Sequence, residues 1–438
     1  MNVRRSVMVF TMLMMAMVTF AVPAKPGLTR MLTLSDGRTV SAVLVGDEHG
    51  HFWRGADGKS YHLIAGTDTY QEVDGQEIIQ KAKQRRAQAN QRRMKRMAPQ
   101  KIGSVGSITG DKKGLIILVN FTDQSFSATQ NDFYKLANQV NYNSGNYKGS
   151  MYDYFYAQSD GQFRLTFDVV GPYTVSQNCA YYGGNDSEGN DEHPAEMVIE
   201  ALKLANGDVN YANYDWDGDG TVEQVYVVYA GKGEADCGAA STIWPHEYDL
   251  NSAKYFGDGA GRQRLDNVYI NTYACGGEQN GSTGATAGIG TMCHEFSHCL
   301  GYPDFYDTDY SGGQGMFQWD LMDSGSYNGD GYQPAGYTSY ERWVAGWKEP
   351  IELVNTQQVS NMAALQTTGS NSYILYNKGN RNEYYLLENR QKTGWDASLP
   401  GAGLLILHVD YNATAWSNNK PNDDPSHQRM TWVAADNQ

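Results

Sequence analysis

The pattern of hydrophobic and polar residues divides the chain into three stretches of different character. Residues 30–80 show short alternating runs between Asp-Gly turns, which is typical of a small β-rich unit. From 114 to 350, longer apolar runs alternate with amphipathic segments, which indicates buried strands between helices. After 350 the alternating pattern returns. We therefore predict an α+β fold, with a mixed α/β centre between a β-rich N-terminal part and a β-rich C-terminal part.

Individual elements follow from the same pattern. Strands are predicted at 31–34, 40–45, 52–53, 115–121, 163–169, 222–230, 372–376, 384–387 and 404–409. Helices are predicted at 132–140 and 196–205. A further helix is predicted where apolar residues recur at helical spacing, at Ile289, Met292, Cys293, Phe296, Cys299 and Leu300. We expect it to end at Gly301, because glycine adopts positive φ without steric cost.

The first 24 residues have the pattern of a signal peptide. A basic start at Arg4 and Arg5 precedes an apolar run over residues 7–18, and cleavage is expected after Ala21 or Ala24. This run is shorter than the roughly 20 residues that span a membrane, so we predict export without a transmembrane anchor. The expected location is secreted, extracellular or at the cell surface.

The charge distribution excludes one large class of partner. Residues 1–100 carry 15 Lys and Arg against 8 Asp and Glu, whereas the remaining residues carry 19 against 41. A body this acidic is a poor nucleic-acid binder, because phosphate contacts need clustered cations. It suits a soluble extracellular protein that binds divalent metal ions.

The predicted helix before Gly301 carries the chemistry. His294 and His298 are four residues apart, so they share one helix face and can present two imidazoles to one metal ion. Glu295 lies beside them, where it can take a proton from a metal-bound water. Zinc in hydrolases commonly has three protein ligands and one open position. The sequence therefore predicts a catalytic zinc site.

Three residues compete for the third ligand position. A sharp turn at Gly301 would bring Asp304 back toward the two histidines, and we prefer this residue. Glu341, in a later helical segment, and Asp307 are the alternatives. The five cysteines are an odd number, and one bridge is possible among Cys179, Cys237 and Cys275. Cys293 and Cys299 fall on the apolar stripe, so we expect them to be buried core thiols and not zinc ligands.

A second metal site is predicted in the loop that begins at residue 215. Its oxygen-bearing side chains alternate around glycines, which lets a tight loop wrap one hard cation such as calcium. The expected ligands are Asp215, Asp217, Asp219, Thr221 and Glu223. A complete EF-hand loop has Glu at position 12, where this chain has Tyr226, so we predict a calcium loop outside an EF-hand fold. An acidic Asp-Gly turn without metal is the simpler alternative.

The zinc motif resembles that of known peptidases. HEFSHCLGYPD at 294–304 is similar to the extended motif of the metzincins, HExxHxxGxxH, with Asp304 in place of the last His. The segment around Met322 resembles the Met-turn of those enzymes. Further stretches resemble the immune inhibitor A family of secreted bacterial metallopeptidases, at 149–155, 159–161, 217–220, 243–246, 301–307, 345–347 and 399–406. This resemblance implies a metzincin-like catalytic domain, a signal peptide, a pro-segment, zinc, calcium and broad cleavage of proteins.

These features combine into one organisation and one function. We expect a signal peptide at 1–24, a pro-segment with a basic linker at 25–98, a catalytic domain at 99–350 and a β-rich region at 351–438 that belongs to a longer protein. In the secreted-peptidase interpretation, the basic segment 76–98 is a protease-sensitive junction; a solvated helix or a disordered linker is the alternative.

The predicted function is a secreted zinc metalloendopeptidase acting on proteins or peptides. Glu295 is its general base, and a tyrosine is expected to stabilise the oxyanion, with Tyr327 and Tyr306 as candidates. The competing hypothesis is a calcium-dependent surface or carbohydrate-binding protein without catalysis. It does not explain why Glu295 lies inside the histidine pair.

Overall fold

The structure is a computed structural model that describes residues 20–90, 108–186 and 189–433. Most of the predicted signal peptide lies outside these residues. Helices and strands are mixed throughout, and the predicted α+β class is confirmed. Within the described ranges, no helix is long and apolar enough to cross a membrane.

The N-terminal part is an antiparallel five-stranded meander followed by a helix. Its elements are β1 (Phe20–Ala21), β2 (Thr29–Thr33), β3 (Thr39–Asp47), β4 (Gly50–Gly55), β5 (Ser60–Leu63), β6 (Tyr70–Val73) and α1 (Gly75–Asn90). Strands β2 to β6 pair in chain order, as the short alternating runs predict, while β1 joins a different sheet. The basic segment is helical as far as Asn90, so the disordered-linker alternative is wrong for residues 76–90.

The central part surrounds a six-stranded mixed sheet. The strands of the central part, which belong to this sheet or to a smaller one, are β7 (Gly110–Asn120), β8 (Phe163–Thr174), β9 (Thr221–Val222), β10 (Val225–Lys232), β11 (His246–Asp249), β12 (Gln263–Leu265), β13 (Val268–Ile270) and β14 (Thr272–Gln279). The sheet order is β1-β11-β14-β10-β7-β8. Strands β8, β7, β10 and β14 are parallel, while β11 and β1 are antiparallel additions at one edge. Strands β9, β12 and β13 form a separate small sheet.

The continuous apolar runs reflect burial on both faces of this sheet. In β7, Ile116 and Leu118 enter one hydrophobic core, whereas Leu115, Ile117 and Val119 enter the core on the opposite face. Because alternate side chains of a strand point to opposite faces, only an unbroken apolar run satisfies both cores.

Helices cover both faces of the central sheet. They are α2 (Gln130–Asn138), α3 (Met151–Gln158), α4 (Cys179–Gly183), α5 (Pro194–Ala205), α6 (Glu234–Cys237), α7 (Leu250–Tyr255), α8 (Gly290–Cys299) and α9 (Ser339–Val344). Helix α2 begins two residues before its predicted start, because Thr129 and Asp132 form a capping box. It also ends earlier than predicted, since Gln139 is extended.

The C-terminal part is a second five-stranded sheet. Its strands pair in chain order and are β15 (Ile351–Glu352), β16 (Tyr373–Asn377), β17 (Asn380–Arg390), β18 (Gly403–Asp410) and β19 (Met430–Trp432). Helix α10 (Ala413–Ser417) lies in the connection between β18 and β19. Residues of this sheet, including Leu386 and Leu407, belong to the same hydrophobic core as Phe296 of α8 and Phe305. The C-terminal sheet is therefore packed directly against the centre of the molecule.

The five cysteines form no disulfide bond. The bridge that the sequence allowed among Cys179, Cys237 and Cys275 is absent from the structure. Cys293 is a fully buried thiol, as expected, whereas Cys299 is only partly buried at the margin of the same core.

Candidate metal centre

Helix α8 brings the three residues of the zinc motif into the interior. His294, Glu295 and His298 are all 1% exposed or less. The helix start is pressed against a neighbouring turn, since a Cβ at Gly290 would overlap the carbonyl oxygen of Ser326. At the other end Gly301 has φ +96°, a left-handed conformation that turns the chain back toward the helix. The predicted turn is thereby confirmed.

Three side-chain atoms converge beyond this turn. The Nε2 atoms of His294 and His298 are 3.2 Å apart. Oδ1 of Asp304 is 3.1 Å from the first of these nitrogens and 3.5 Å from the second. Asp304 is fully buried as well. These three residues form the one fully buried group in the described chain whose ligand atoms could hold a metal ion together.

The hydrogen bonds of the two imidazoles orient their lone pairs toward this point. Nδ1 of His294 lies 2.7 Å from the carbonyl oxygen of Leu321, and Nδ1 of His298 lies 2.8 Å from that of Tyr302. A carbonyl oxygen only accepts, so each Nδ1 carries the proton and donates it. Each Nε2 of a neutral ring is then an acceptor without a hydrogen, which is the tautomer that binds metal ions.

These residues fit a tetrahedral zinc ion. Zinc ligands lie about 2.0–2.1 Å from the metal, which separates the ligand atoms of a tetrahedral site by roughly 3.3 Å. The separations of 3.1, 3.2 and 3.5 Å match this spacing. Oδ1 of Asp304 is buried and receives no hydrogen bond, so its lone pairs can bind a metal ion.

The electrostatics of the carboxyl groups support the same interpretation. Burial raises the pKa of Asp304 to about 6, opposed by its contact with His294. Burial also raises the pKa of Glu295 well above its ordinary value, and the charges of Asp304 and Glu48 raise it further. Oε2 of Glu295 and Oε2 of Glu48 are both buried without a hydrogen-bond partner. Because the negative charges of Asp304 and Glu48 raise the pKa of Glu295, a cation bound nearby would relieve this repulsion.

The segment predicted to form a Met-turn contacts His294 and the residue that follows Asp304. Met322 is fully buried, and its carbonyl oxygen accepts a hydrogen bond from the backbone N–H of Phe305 at 2.8 Å. The preceding carbonyl, that of Leu321, holds His294. The turn thus fixes one histidine through a side-chain contact and the chain beside Asp304 through a backbone contact.

The other candidates for the third ligand lie elsewhere. Oε2 of Glu341 accepts a hydrogen bond from the backbone N–H of Thr338 at the start of α9. Asp307 accepts from the backbone N–H groups of Gly312 and Gly313 in its own loop. Neither residue belongs to the group of converging ligand atoms, whereas Asp304 does.

An N-terminal segment lies across the centre. The backbone N–H of Val22 donates to Oε1 of Glu295 at 3.0 Å, and Val22 is completely buried. Its carbonyl accepts from the indole N–H of Trp244, and the Pro23 carbonyl accepts from the hydroxyl of Tyr327 at 2.8 Å. Just before it, β1 pairs with the edge strand β11. Peptide backbone therefore occupies the space next to Glu295.

The two tyrosine candidates occupy different positions. Tyr327 contacts the N-terminal segment. Its pKa is raised mainly by burial, and the charge of Glu295 adds to this rise. Tyr306 is buried next to Tyr310, with ring centroids 6.3 Å apart, and its pKa is raised by burial and by Asp304. The hydroxyl of Tyr327 is thus the one that donates to a peptide carbonyl beside Glu295.

The loop at 215–223 brings together part of its predicted ligand set. Carboxylate oxygens of Asp215, Asp217 and Glu223 converge, whereas Asp219 is not part of this group of carboxylates. Asp219 instead accepts a hydrogen bond from the backbone N–H of Thr221. Burial raises the pKa of Glu223 to about 7, and the charges of Asp217 and Asp215 add to this rise.

Two residues of the centre were missed by sequence reasoning. Val22 contacts Glu295 over a separation of 273 residues, and Asn419 contacts Asp304 over 115 residues. Neither belongs to a motif, and an asparagine in a loop carries no chemical signal by itself. Only the packing of the N-terminal segment and of the C-terminal sheet brings them to the site.

The central part matches a known family. Residues 100–347 match the model described as immune inhibitor A peptidase M6, catalytic domain. A curated relative, the pre-pro-metalloprotease PrtV of Vibrio cholerae serotype O1, is 30% identical over 233 residues, 48% of this chain and 25% of the relative. Immune inhibitor A of Bacillus thuringiensis subsp. alesti is 25% identical over 238 residues, 46% of this chain and 33% of the relative.

These matches cover only part of each protein. The chain spans a quarter to a third of the length of the curated relatives it matches. Among solved structures, metalloproteinase-II from Bacteroides fragilis aligns with 72% of this chain and 89% of its own, at 12% identity and a TM-score of 0.24. That structural similarity is too low to inform the fold.

Proposed function

Because this chain belongs to the immune inhibitor A peptidase family, we propose that it is a secreted zinc metalloendopeptidase that hydrolyses peptide bonds in proteins. His294, His298 and Asp304 hold the zinc ion. The observation that carries the proposal is the convergence of two unprotonated imidazole nitrogens and one carboxylate oxygen within 3.5 Å of one another, all buried. The motif at 294–304 and the family match support the same assignment.

Glu295 is the general base and acid of the proposed reaction. When bound, zinc polarises the substrate carbonyl and lowers the pKa of a water molecule toward 7. Glu295 accepts the proton of the attacking water and transfers it to the departing amide nitrogen. Burial raises the pKa of its carboxyl group, which makes Glu295 a stronger base. Oε1 lies 3.0 Å from a peptide N–H, so peptide backbone can reach it.

Tyr327 donates to the oxygen on which negative charge develops. Its hydroxyl already donates to the carbonyl oxygen of Pro23, one residue beyond the N–H that meets Glu295. A substrate carbonyl in an equivalent position would receive the same hydrogen bond, which strengthens as that oxygen becomes an anion.

Residues 25–98 form a pro-segment that keeps this enzyme latent. Cleavage of the signal peptide after Ala21, the first of the two expected sites, leaves Val22 and Pro23 attached to this segment, where their contacts close the space beside Glu295 to substrate. Helix α1 ties the N-terminal unit to the centre, since Arg86 donates to the Thr308 carbonyl and pairs with Asp47. Cleavage after the basic residues that follow α1 would permit release. Of the predicted junction 76–98, the residues after Asn90 lie outside those that the structure describes.

Calcium is the second metal of the proposed function. The loop at 215–223 supplies three converging carboxylates at the junction of the small sheet with β10. Carboxylate oxygens are the ligands that calcium prefers. Its role here is structural, because the loop carries none of the residues that contact the zinc ligands.

Cleavage of casein tests this proposal. The secreted chain is trimmed after the basic segment, stripped of zinc with a chelator and assayed before and after zinc is restored. We expect cleavage only with zinc, and a loss of about 10²- to 10⁴-fold in Glu295→Gln, which removes the general base. The variant must still bind one zinc ion per chain, because Glu295 is not a ligand.

The same assay distinguishes the peptidase from the competing function. A trimmed chain that binds calcium but neither binds zinc nor cleaves casein would contradict the peptidase proposal and favour a calcium-dependent binding protein.

A further inference from the structure

The third zinc ligand is held by a residue of the C-terminal part. Asn419 lies in the loop between α10 and β19 and is 1% exposed. Its Oδ1 accepts the backbone N–H of Asp304 at 2.6 Å, and its Nδ2 donates to Oδ2 of Asp304 at 2.6 Å. The side chain of Asn419 therefore forms hydrogen bonds with both the backbone and the carboxylate of Asp304.

This pair of hydrogen bonds determines how Asp304 faces the histidines. The backbone N–H only donates, so it fixes which end of the Asn419 amide is the oxygen. The amide nitrogen then binds Oδ2 and leaves Oδ1 as the oxygen that lies 3.1 Å from Nε2 of His294. Without Asn419, the carboxyl group can rotate about its χ2 bond, which is a broad and soft torsion.

The surrounding loop is built to keep Asn419 in place. Asn419 has φ +50°, a left-handed conformation that few residues other than glycine and asparagine adopt readily. Its carbonyl accepts from the Thr308 hydroxyl at 2.9 Å. Three residues further on, Nδ2 of Asn422 donates to the Phe305 carbonyl at 2.8 Å. The loop thus holds the chain from Asp304 to Thr308 at several points.

We propose that Asn419 is a positioning residue of the metal centre, which orients Asp304 for zinc through a two-point contact. This inference rests on the proposed function, in which Asp304 is a zinc ligand. It extends the catalytic unit beyond the family match, which ends at residue 347. The C-terminal sheet then has a second role besides packing, because its loop completes the environment of a zinc ligand.

Zinc affinity of the full chain measures this role. We expect Asn419→Gly to bind zinc 10- to 100-fold more weakly than the wild type, the usual cost of losing a group that orients a ligand. Glycine tolerates the positive φ, so the variant removes the side chain without straining the backbone. Asn419→Ser, whose side chain is too short to span both atoms, is the second variant and serves if the glycine variant does not fold.

The matched control is another asparagine of the same region. Asn412 caps α10 by accepting the Ala415 N–H and has no role at the metal centre. Asn412→Ala is expected to lower the melting temperature of the metal-free protein and to leave zinc affinity unchanged. The visible spectrum of the cobalt-substituted protein is the second readout, and we expect it to change in Asn419→Gly but not in Asn412→Ala.

Three outcomes are decisive. Weaker zinc binding with an altered cobalt spectrum, confined to the Asn419 variants, supports the inference. Wild-type affinity in these variants, or an equal loss in Asn412→Ala, overturns it while leaving the proposed function intact. A wild-type chain that binds no zinc overturns the proposed function, and the inference falls with it.

Discussion

At the scale of single residues, the centre is defined by hydrogen bonds that turn particular atoms toward one another. Each histidine donates its Nδ1 proton to a backbone carbonyl, and Asp304 directs Oδ1 toward the Nε2 atoms of the two rings. The identities of His294, Glu295 and His298 follow from the sequence alone, because their spacing on one helix is itself the chemical signal.

The oxyanion candidates can be separated by single substitutions. We expect Tyr327→Phe to reduce kcat of the trimmed enzyme by about 10²-fold, since removing one oxyanion donor costs about that much. Tyr306→Phe is the matched control and should retain kcat within a few-fold, because its hydroxyl is not the one that meets the Pro23 carbonyl. Steady-state kinetics on a peptide substrate measure both. Equal losses in the two variants would contradict the assignment of Tyr327.

A buried histidine predicts a loss of stability in acid. Burial lowers the pKa of His246 to about 4, while its ring contacts the Trp244 carbonyl and the Tyr273 hydroxyl. Below pH 6.5 the unfolded chain takes up a proton that the folded chain refuses, so stability falls as the pH drops from 6.5 to 4. The full effect is about 3 kcal/mol at 1.36 kcal/mol per pKa unit.

Urea unfolding of the metal-free protein at pH 7.5 and pH 5 measures this effect. Without zinc, the release of metal at low pH does not contribute. In His246→Gln the decrease in unfolding free energy between the two pH values should be smaller than in the wild type. An unchanged decrease would show that His246 is not the group responsible.

At the scale of elements, the strands with strong periodicity were predicted well and the contacts between distant elements were not. The strands β7 and β18 and the helix α5 lie where the apolar patterns indicated. The pairing of β1 with β11, by contrast, depends on β11 offering an open sheet edge, which no local pattern reveals. The docking of helix α1 onto the rest of the molecule was not predicted for the same reason, since Arg86 is buried against residues far along the chain.

The docking of α1 is testable through Arg86. Arg86→Ala leaves Asp47 buried without its partner, and breaking such a pair costs about 3–5 kcal/mol. We expect thermolysin to remove the N-terminal unit much faster from this variant. Lys81→Ala, which breaks an exposed pair with Glu77 on the same helix, should change the rate little. Equal rates for both variants would show that α1 does not anchor the unit.

The acidic loop makes a prediction about calcium. If Asp215, Asp217 and Glu223 bind calcium, a concentration 100-fold above the Kd raises the unfolding free energy by about 2.7 kcal/mol. Thermal melts with and without calcium should show this shift, and Glu223→Gln should abolish most of it. Asp208→Asn, which alters an exposed carboxylate outside the loop, should respond to calcium like the wild type. The prediction is wrong if calcium shifts neither the wild type nor the control.

At the scale of the whole molecule, three parts meet at one centre. The central part supplies the histidines and Glu295, the N-terminal part places peptide backbone beside Glu295, and the C-terminal part holds Asp304. The sequence predicted the first contribution because it is local to one helix and one turn. The other two span 273 and 115 residues, so they depend on how whole sheets pack and leave no trace in any short segment.

The central claim is that zinc binds at His294, His298 and Asp304. Anomalous diffraction at the zinc absorption edge, from crystals of the full chain grown with zinc, tests this most directly. The account predicts one strong peak within about 2.3 Å of both Nε2 atoms and of a carboxylate oxygen of Asp304. A peak located at other side chains, or no peak between the two histidines, would contradict it.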